Sequence, residues 1–105
     1  MAAATLVMWF SLRSPELAED FERLMASDRD TVSSSLDTMS DYRLTRPMDL
    51  PGQARGGEAA DYVLMAEISN IENWEQQAEE RTQELADDLA HLVSSRQYLV
   101  LERVL

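Results

Sequence analysis

The sequence contains no cysteine. That excludes a disulfide framework, a thiolate nucleophile and a cysteine-ligated metal. A single histidine is too little for a typical zinc set, and the carboxylates show no calcium-loop spacing, so no metal is expected. There are only three glycines, and all fall between Pro47 and Asp61. The pair Gly56–Gly57 lies between two expected strands and not before a helix, so no phosphate cradle forms and no cofactor is expected. Lysine is absent, and all nine bases are arginine, which reads as the codon usage of a GC-rich genome. No apolar run approaches the roughly 18 residues of a membrane span. The start, MAAATLVMWF, has no basic region, and its apolar residues belong to a strand. A cytoplasmic protein is expected.

Bases are also few against acids. Twenty acids and nine bases give a net charge of −11. This disfavours nucleic acid, whose backbone needs clustered arginine or lysine, and an anionic membrane surface. What remains is ordinary for a folded chain: 105 residues, 45% hydrophobic, enough for one domain spanning residues 1–105.

Thr5–Arg13, TLVMWFSLR, alternates as a strand. Ser14 and Pro15 then suit an N-cap and a first helical position. Leu17, Phe21, Leu24 and Met25 share one helix face. The following SDRDTVSSSLDTM reads as a second short helix or an irregular extension, with Asp28 or Asp30 as a cap. DYRLTR is a second strand, ended by Pro47. The segment to Asp61 is a long loop. YVLMAEI is a third strand. A long helix starts after Ser69 or Asn70 and carries Ile71, Trp74, Ala78, Leu85, Leu89 and Leu92 as one stripe. RQYLVLERVL closes the chain as a fourth strand.

The order β-α-β-β-α-β predicts an α+β, ferredoxin-like fold: a four-stranded antiparallel sheet with helices on one face. Strands 1, 3 and 4 are apolar on both faces, and Trp9 lies on the face the helices leave bare. So large an apolar sheet face is an aggregation liability unless covered. A homodimer, two sheets closing into a barrel, covers it.

Several residues stand out chemically. His91 is the obvious general base, although Glu84 and Asp88 lie with it beyond the apolar stripe, as a solvated histidine would. Arg81 falls on the stripe itself, between Ala78 and Leu85. It needs an acid such as Glu67, or a ligand carboxylate or enolate, unless it snorkels at the stripe's edge. Arg43 shares a strand face with Thr45; it either binds an anion or forms an intersubunit salt bridge. Trp9 and Tyr62 offer flat surface to an aromatic substrate, or belong to the core.

WFSL, SDRDTV, YRLTR, DYVLMAEI, QAEERTQEL and YLVLERV occur in that order over nearly the whole chain. Together they resemble the RedY/HapK-like proteins of the dimeric α/β-barrel superfamily. The resemblance implies a homodimer in bacterial secondary metabolism, in pathways to pyrrole- and indole-derived pigments and alkaloids. It matches Asp28 and Glu80 to acidic positions of the family, as a base and a protonated partner if both face one pocket; otherwise Asp28 is a cap and Glu80 a solvated residue. The expected activity is a cofactor-free cyclisation or condensation of an aromatic intermediate, with Asp28, Glu80 and His91 catalytic. Trp9, Arg43, Tyr62 and Arg81 would bind the substrate, and the loop Pro47–Asp61 would serve as its lid. The alternatives are a cofactor-independent monooxygenase of the quinone-forming kind and a non-catalytic binder of a pathway intermediate.

Overall fold

The computed structural model describes residues 3–48 and 60–104, without the side chains of residues 35 and 82. The elements are β1 (Ala4–Leu12), a 3-10 turn (Pro15–Leu17) running into α1 (Ala18–Ser35), β2 (Met39–Thr45), β3 (Tyr62–Ile68), α2 (Ile71–Leu92) and β4 (Val93–Glu102). The strands form one sheet in the order β2-β3-β1-β4 with every pair antiparallel. This is the ferredoxin-like arrangement that the element order predicts.

Local chemistry sets the helix starts. Ser14 Oγ accepts from the Glu16 amide at 3.4 Å, with Pro15 following. Asn70 Oδ1 accepts from the Asn73 amide at 3.2 Å. Each satisfies an amide left without a carbonyl by the helix geometry. The region expected as a second short helix or an irregular extension is instead the continuation of α1 as far as Ser35, and its last residue, Met39, opens β2. The α1 stripe, Phe21, Met25, Asp28 and Val32, is buried throughout, so tertiary packing outweighs the serine run.

One sheet face is the core. Leu6 and Phe10 of β1 and Tyr62, Leu64, Ala66 and Ile68 of β3 are buried on it. Phe21 of α1 stands between Phe10 and Tyr62, with ring centroids 5.1 Å and 4.7 Å away. Leu89 of α2 joins this cluster. The register puts Val7 opposite Met65 and Leu99, and Trp9 opposite Val63 and Gln97. These residues form the face that neither helix covers. Leu99 and Leu101 of β4 are about half exposed on it, at 52% and 47%.

The β2–β3 register shifts between Ser40 and Arg43, where Asp41 has φ of 56°. The extra residue is a bulge, which re-aims its neighbours. Beyond it, Arg43 faces the same side as Met65, while Tyr42 reaches the helix side and touches both core clusters.

Candidate active site

The stripe of α2 that faces the sheet begins at Trp74 and continues through Ala78 and Arg81 to Leu85. Opposite it stand Leu6, Met8 and Phe10 of β1 and Arg96, Tyr98 and Val100 of β4. Helix and edge strand do not close on each other, and a cleft of about 630 Å³ lies between them. Its walls are mostly apolar and aromatic; Glu75, Glu79, Arg81 and Arg96 supply the charge. That combination, apolar walls with a few polar groups, is the usual make-up of a small-molecule site.

Arg81 is anchored at this cleft by a buried network. Its Nη2 donates to Asp28 Oδ2 at 2.6 Å and its Nε to Asp28 Oδ1 at 3.1 Å. The side chains are 16% and 5% exposed. Such a two-point contact fixes the guanidinium plane as well as its position. The Tyr42 hydroxyl donates to Asp28 Oδ2 at 2.7 Å. Three elements, α1, β2 and α2, therefore meet at one carboxylate. Burial pushes the Tyr42 phenol far above its ordinary range, and the adjacent Asp28 charge and their hydrogen bond push it further, against the opposing pull of Arg81 and Arg29. At neutral pH it is a hydrogen-bond donor, not a base. Among the described residues, Arg81 Nη1 has only the Met39 sulfur, at 3.8 Å. A thioether is a weak acceptor, so donor capacity remains for a ligand.

Trp74 Nε1 is buried and has no hydrogen-bond partner among the described residues. An orphaned buried donor costs about 1–3 kcal/mol. Among the described residues no group of three or more histidine or carboxylate side chains is placed to share a metal ion.

Of the residues singled out in the sequence, the structure brings Asp28 and Arg81 together. The partner of Arg81 is Asp28 and not Glu67, which accepts from Thr5 Oγ1 at 3.0 Å. Both Asp28 oxygens are occupied, so it is neither a cap nor a free base. Glu80 is exposed and outside the cleft; its neighbour Glu79 lines it, because one residue along a helix turns the side chain by about 100°. His91 is exposed in the last turn of α2, also outside the cleft. Trp9 and Arg43 lie on the opposite sheet face, and Arg43 donates to Asp41 at 3.3 Å. Tyr62 is on the helix face but buried at 3% exposure, and its hydroxyl donates to Glu22 at 2.6 Å. Burial, helped by Glu22, pushes its pKa up to about 12. The expected lid falls mainly on residues 49–59, outside the described residues. Tyr42, Glu79, Arg96 and Tyr98 are site residues that the sequence pattern does not single out. Their positions depend on a bulge, on helix phase and on an edge strand standing clear of a helix. A bulge and a stand-off leave no periodic signal.

No helix among the described residues is long and apolar enough to cross a membrane. Solved structures share the fold. A cofactor-independent oxygenase from Streptomyces nogalater, SnoaB, is 15% identical with a TM-score of 0.74, over 100% of this chain and 96% of that one. A dimeric protein of ferredoxin-like fold from Bacteroides fragilis is 18% identical with a TM-score of 0.66, over 98% of each chain. A dimeric ferredoxin-like protein from Thermobifida fusca is 12% identical with a TM-score of 0.67, over 97% of this chain and 92% of that one. No curated protein matches the chain by sequence. The family described as REDY-like protein HapK matches residues 4–104, and the chain belongs to that family.

Proposed function

We propose that this chain is a homodimeric, cofactor-independent enzyme of secondary metabolism that acts on an aromatic intermediate held in the cleft between α2 and the sheet. The observation that carries this reading is Arg81, a guanidinium oriented by buried Asp28 and lining an otherwise apolar cavity. A cation fixed before the reaction stabilises an enolate or other oxyanion without reorganising. Trp74 and Tyr98 give flat surface to a ring system such as an indole or pyrrole derivative. Glu79 takes the proton-transfer role expected of Glu80, and Asp28 acts through Arg81 as a positioning residue. Cyclisation or condensation follows when the cleft holds the reacting carbons together and excludes water. Family membership supports the secondary-metabolic setting, and the dimeric relatives support the homodimer.

The test is reconstitution in a producing host that lacks the gene. Wild-type protein is expected to restore product, whereas Arg81→Met and Glu79→Gln are expected to lower output about 100-fold, the scale of one oxyanion donor or one acid–base group. Full output from both variants overturns the reading.

A second reading is favoured by the likeness to the oxygenase from Streptomyces nogalater. Arg81 would then stabilise a substrate anion that reacts with O2, converting a ring CH2 to C=O with release of water. Oxygen uptake with a naphthol that is lost in Arg81→Met supports oxygenation; product formation without oxygen uptake rejects it.

A further inference from the structure

The cleft has a second arginine, and no described residue holds it. Arg96 lies on β4 opposite Phe10, and its side chain lines the cleft. Among the described residues its guanidinium has no hydrogen bond or ion pair. Other arginines are engaged: Arg13 with the Ala90 carbonyl, Arg23 with Glu19, Arg29 with Asp30, Arg43 with Asp41 and Arg81 with Asp28. An uncommitted guanidinium is conspicuous in a chain with 20 acids, two of which line the same cleft.

The charges divide the cleft by wall. Glu75 and Glu79 stand on the α2 wall and repel an anion. Arg81 is already neutralised by Asp28, so its remaining N–H groups suit a carbonyl or a developing oxyanion. Uncompensated positive charge is found on the β4 wall, at Arg96. Tyr98, two residues along and on the same side of the strand, is 60% exposed and offers a ring face next to it. A ligand with one flat apolar body and one permanent negative charge fits this layout in a single orientation.

We infer that the cleft selects aromatic carboxylates, with Arg96 binding the carboxylate at the β4 wall, Tyr98 covering the ring beside it, and the reacting end turned towards Arg81. This rests on the reading of the cleft as the substrate site. It adds a substrate class and a specificity residue to that reading.

Calorimetric titration of the purified protein with 2-naphthoate and its uncharged isostere 2-naphthamide tests it. Wild type is expected to bind naphthoate about tenfold more tightly, the scale of one charge-assisted contact. Arg96→Gln is expected to bring that ratio close to one, and Arg96→Lys to keep part of the preference. Arg96 is exposed on an edge strand, so an unchanged melting temperature is expected for both variants. Equal binding of the two probes to wild type, or a preference that survives Arg96→Gln, overturns the assignment and leaves the cleft reading standing. No binding of either probe overturns both.

Discussion

Asp28 and Arg81 each occupy an apolar stripe, and neither is tolerable there alone. Removing one partner of a buried ion pair strands the other charge, at a cost of about 3 kcal/mol or more. Arg81→Met is therefore expected to lower the urea midpoint by that order, while Asp28→Leu combined with Arg81→Met recovers most of the loss. Equal stability of the single and double variants would contradict the pair's isolation from solvent. Glu80→Gln and His91→Ala touch exposed groups and are expected to shift stability by less than about 0.5 kcal/mol. Tyr62 gives a pH signature. Its folded pKa, about 12, lies above the ordinary phenol value of 10.0. The folded state therefore holds its proton more tightly than the unfolded state. The contribution is intact below pH 10 and is lost as pH rises towards 12. The urea midpoint is expected to fall over that window more steeply in wild type than in Tyr62→Phe.

At the scale of elements, the bulge in β2 decides which way Tyr42 points. Asp41 carries the left-handed conformation that makes the bulge possible, a cost that glycine avoids and a β-branched residue feels most. Asp41→Gly is expected to be near neutral in thermal unfolding and Asp41→Val to cost about 1–2 kcal/mol, with weakened binding in the cleft because Tyr42 no longer braces Asp28. If Asp41→Val unfolds like wild type, the bulge is not a constraint. The alternation of the strands and the 3.6-residue stripes of the helices make the element order legible in the amino-acid sequence alone. The site is legible there in part. Arg81 betrays itself by interrupting the stripe between Ala78 and Leu85. Asp28 interrupts the α1 stripe between Met25 and Val32 in the same way, but only once α1 runs on to Ser35; with the helix ended earlier Asp28 reads as a cap, and Arg81 is given an acid such as Glu67 instead. Trp9 looks like a substrate contact in the sequence because it offers a flat ring, and Arg43 because it offers an anion a cation beside Thr45, yet periodicity gives a face and not what lies over it. Arg96 and Tyr98 escape for a different reason. Their side of β4 becomes a wall only because α2 stands off from the edge strand, which is a fact of packing geometry.

At the scale of the whole molecule, the face bearing Val7, Trp9, Met65, Leu99 and Leu101 has no cover from its own helices. Among the described residues no further layer lies over it, and a domain of this size has little chain to spare for one. Two copies joined through this face would bury the apolar patch of each, and a twofold contact there would set Trp9 and Arg43 in or beside the seam. Charge opposes this step, because each copy brings −11. Association therefore depends on the apolar centre and is expected to strengthen with added salt, which screens the repulsion. A native mass spectrum is expected near twice 11.9 kDa. Leu99→Glu places a charge in that centre and adds to the repulsion. It is expected to give a monomer that stays folded, because the residue is 52% exposed in the single chain. The cleft between α2 and the sheet lies on the other side of β4, so the monomeric variant is expected to keep binding naphthoate. A wild-type monomer would refute the covered face. Loss of naphthoate binding in a folded Leu99→Glu monomer would show instead that the second copy completes the cleft, for β4 then depends on its partner to hold Arg96 and Tyr98 in place.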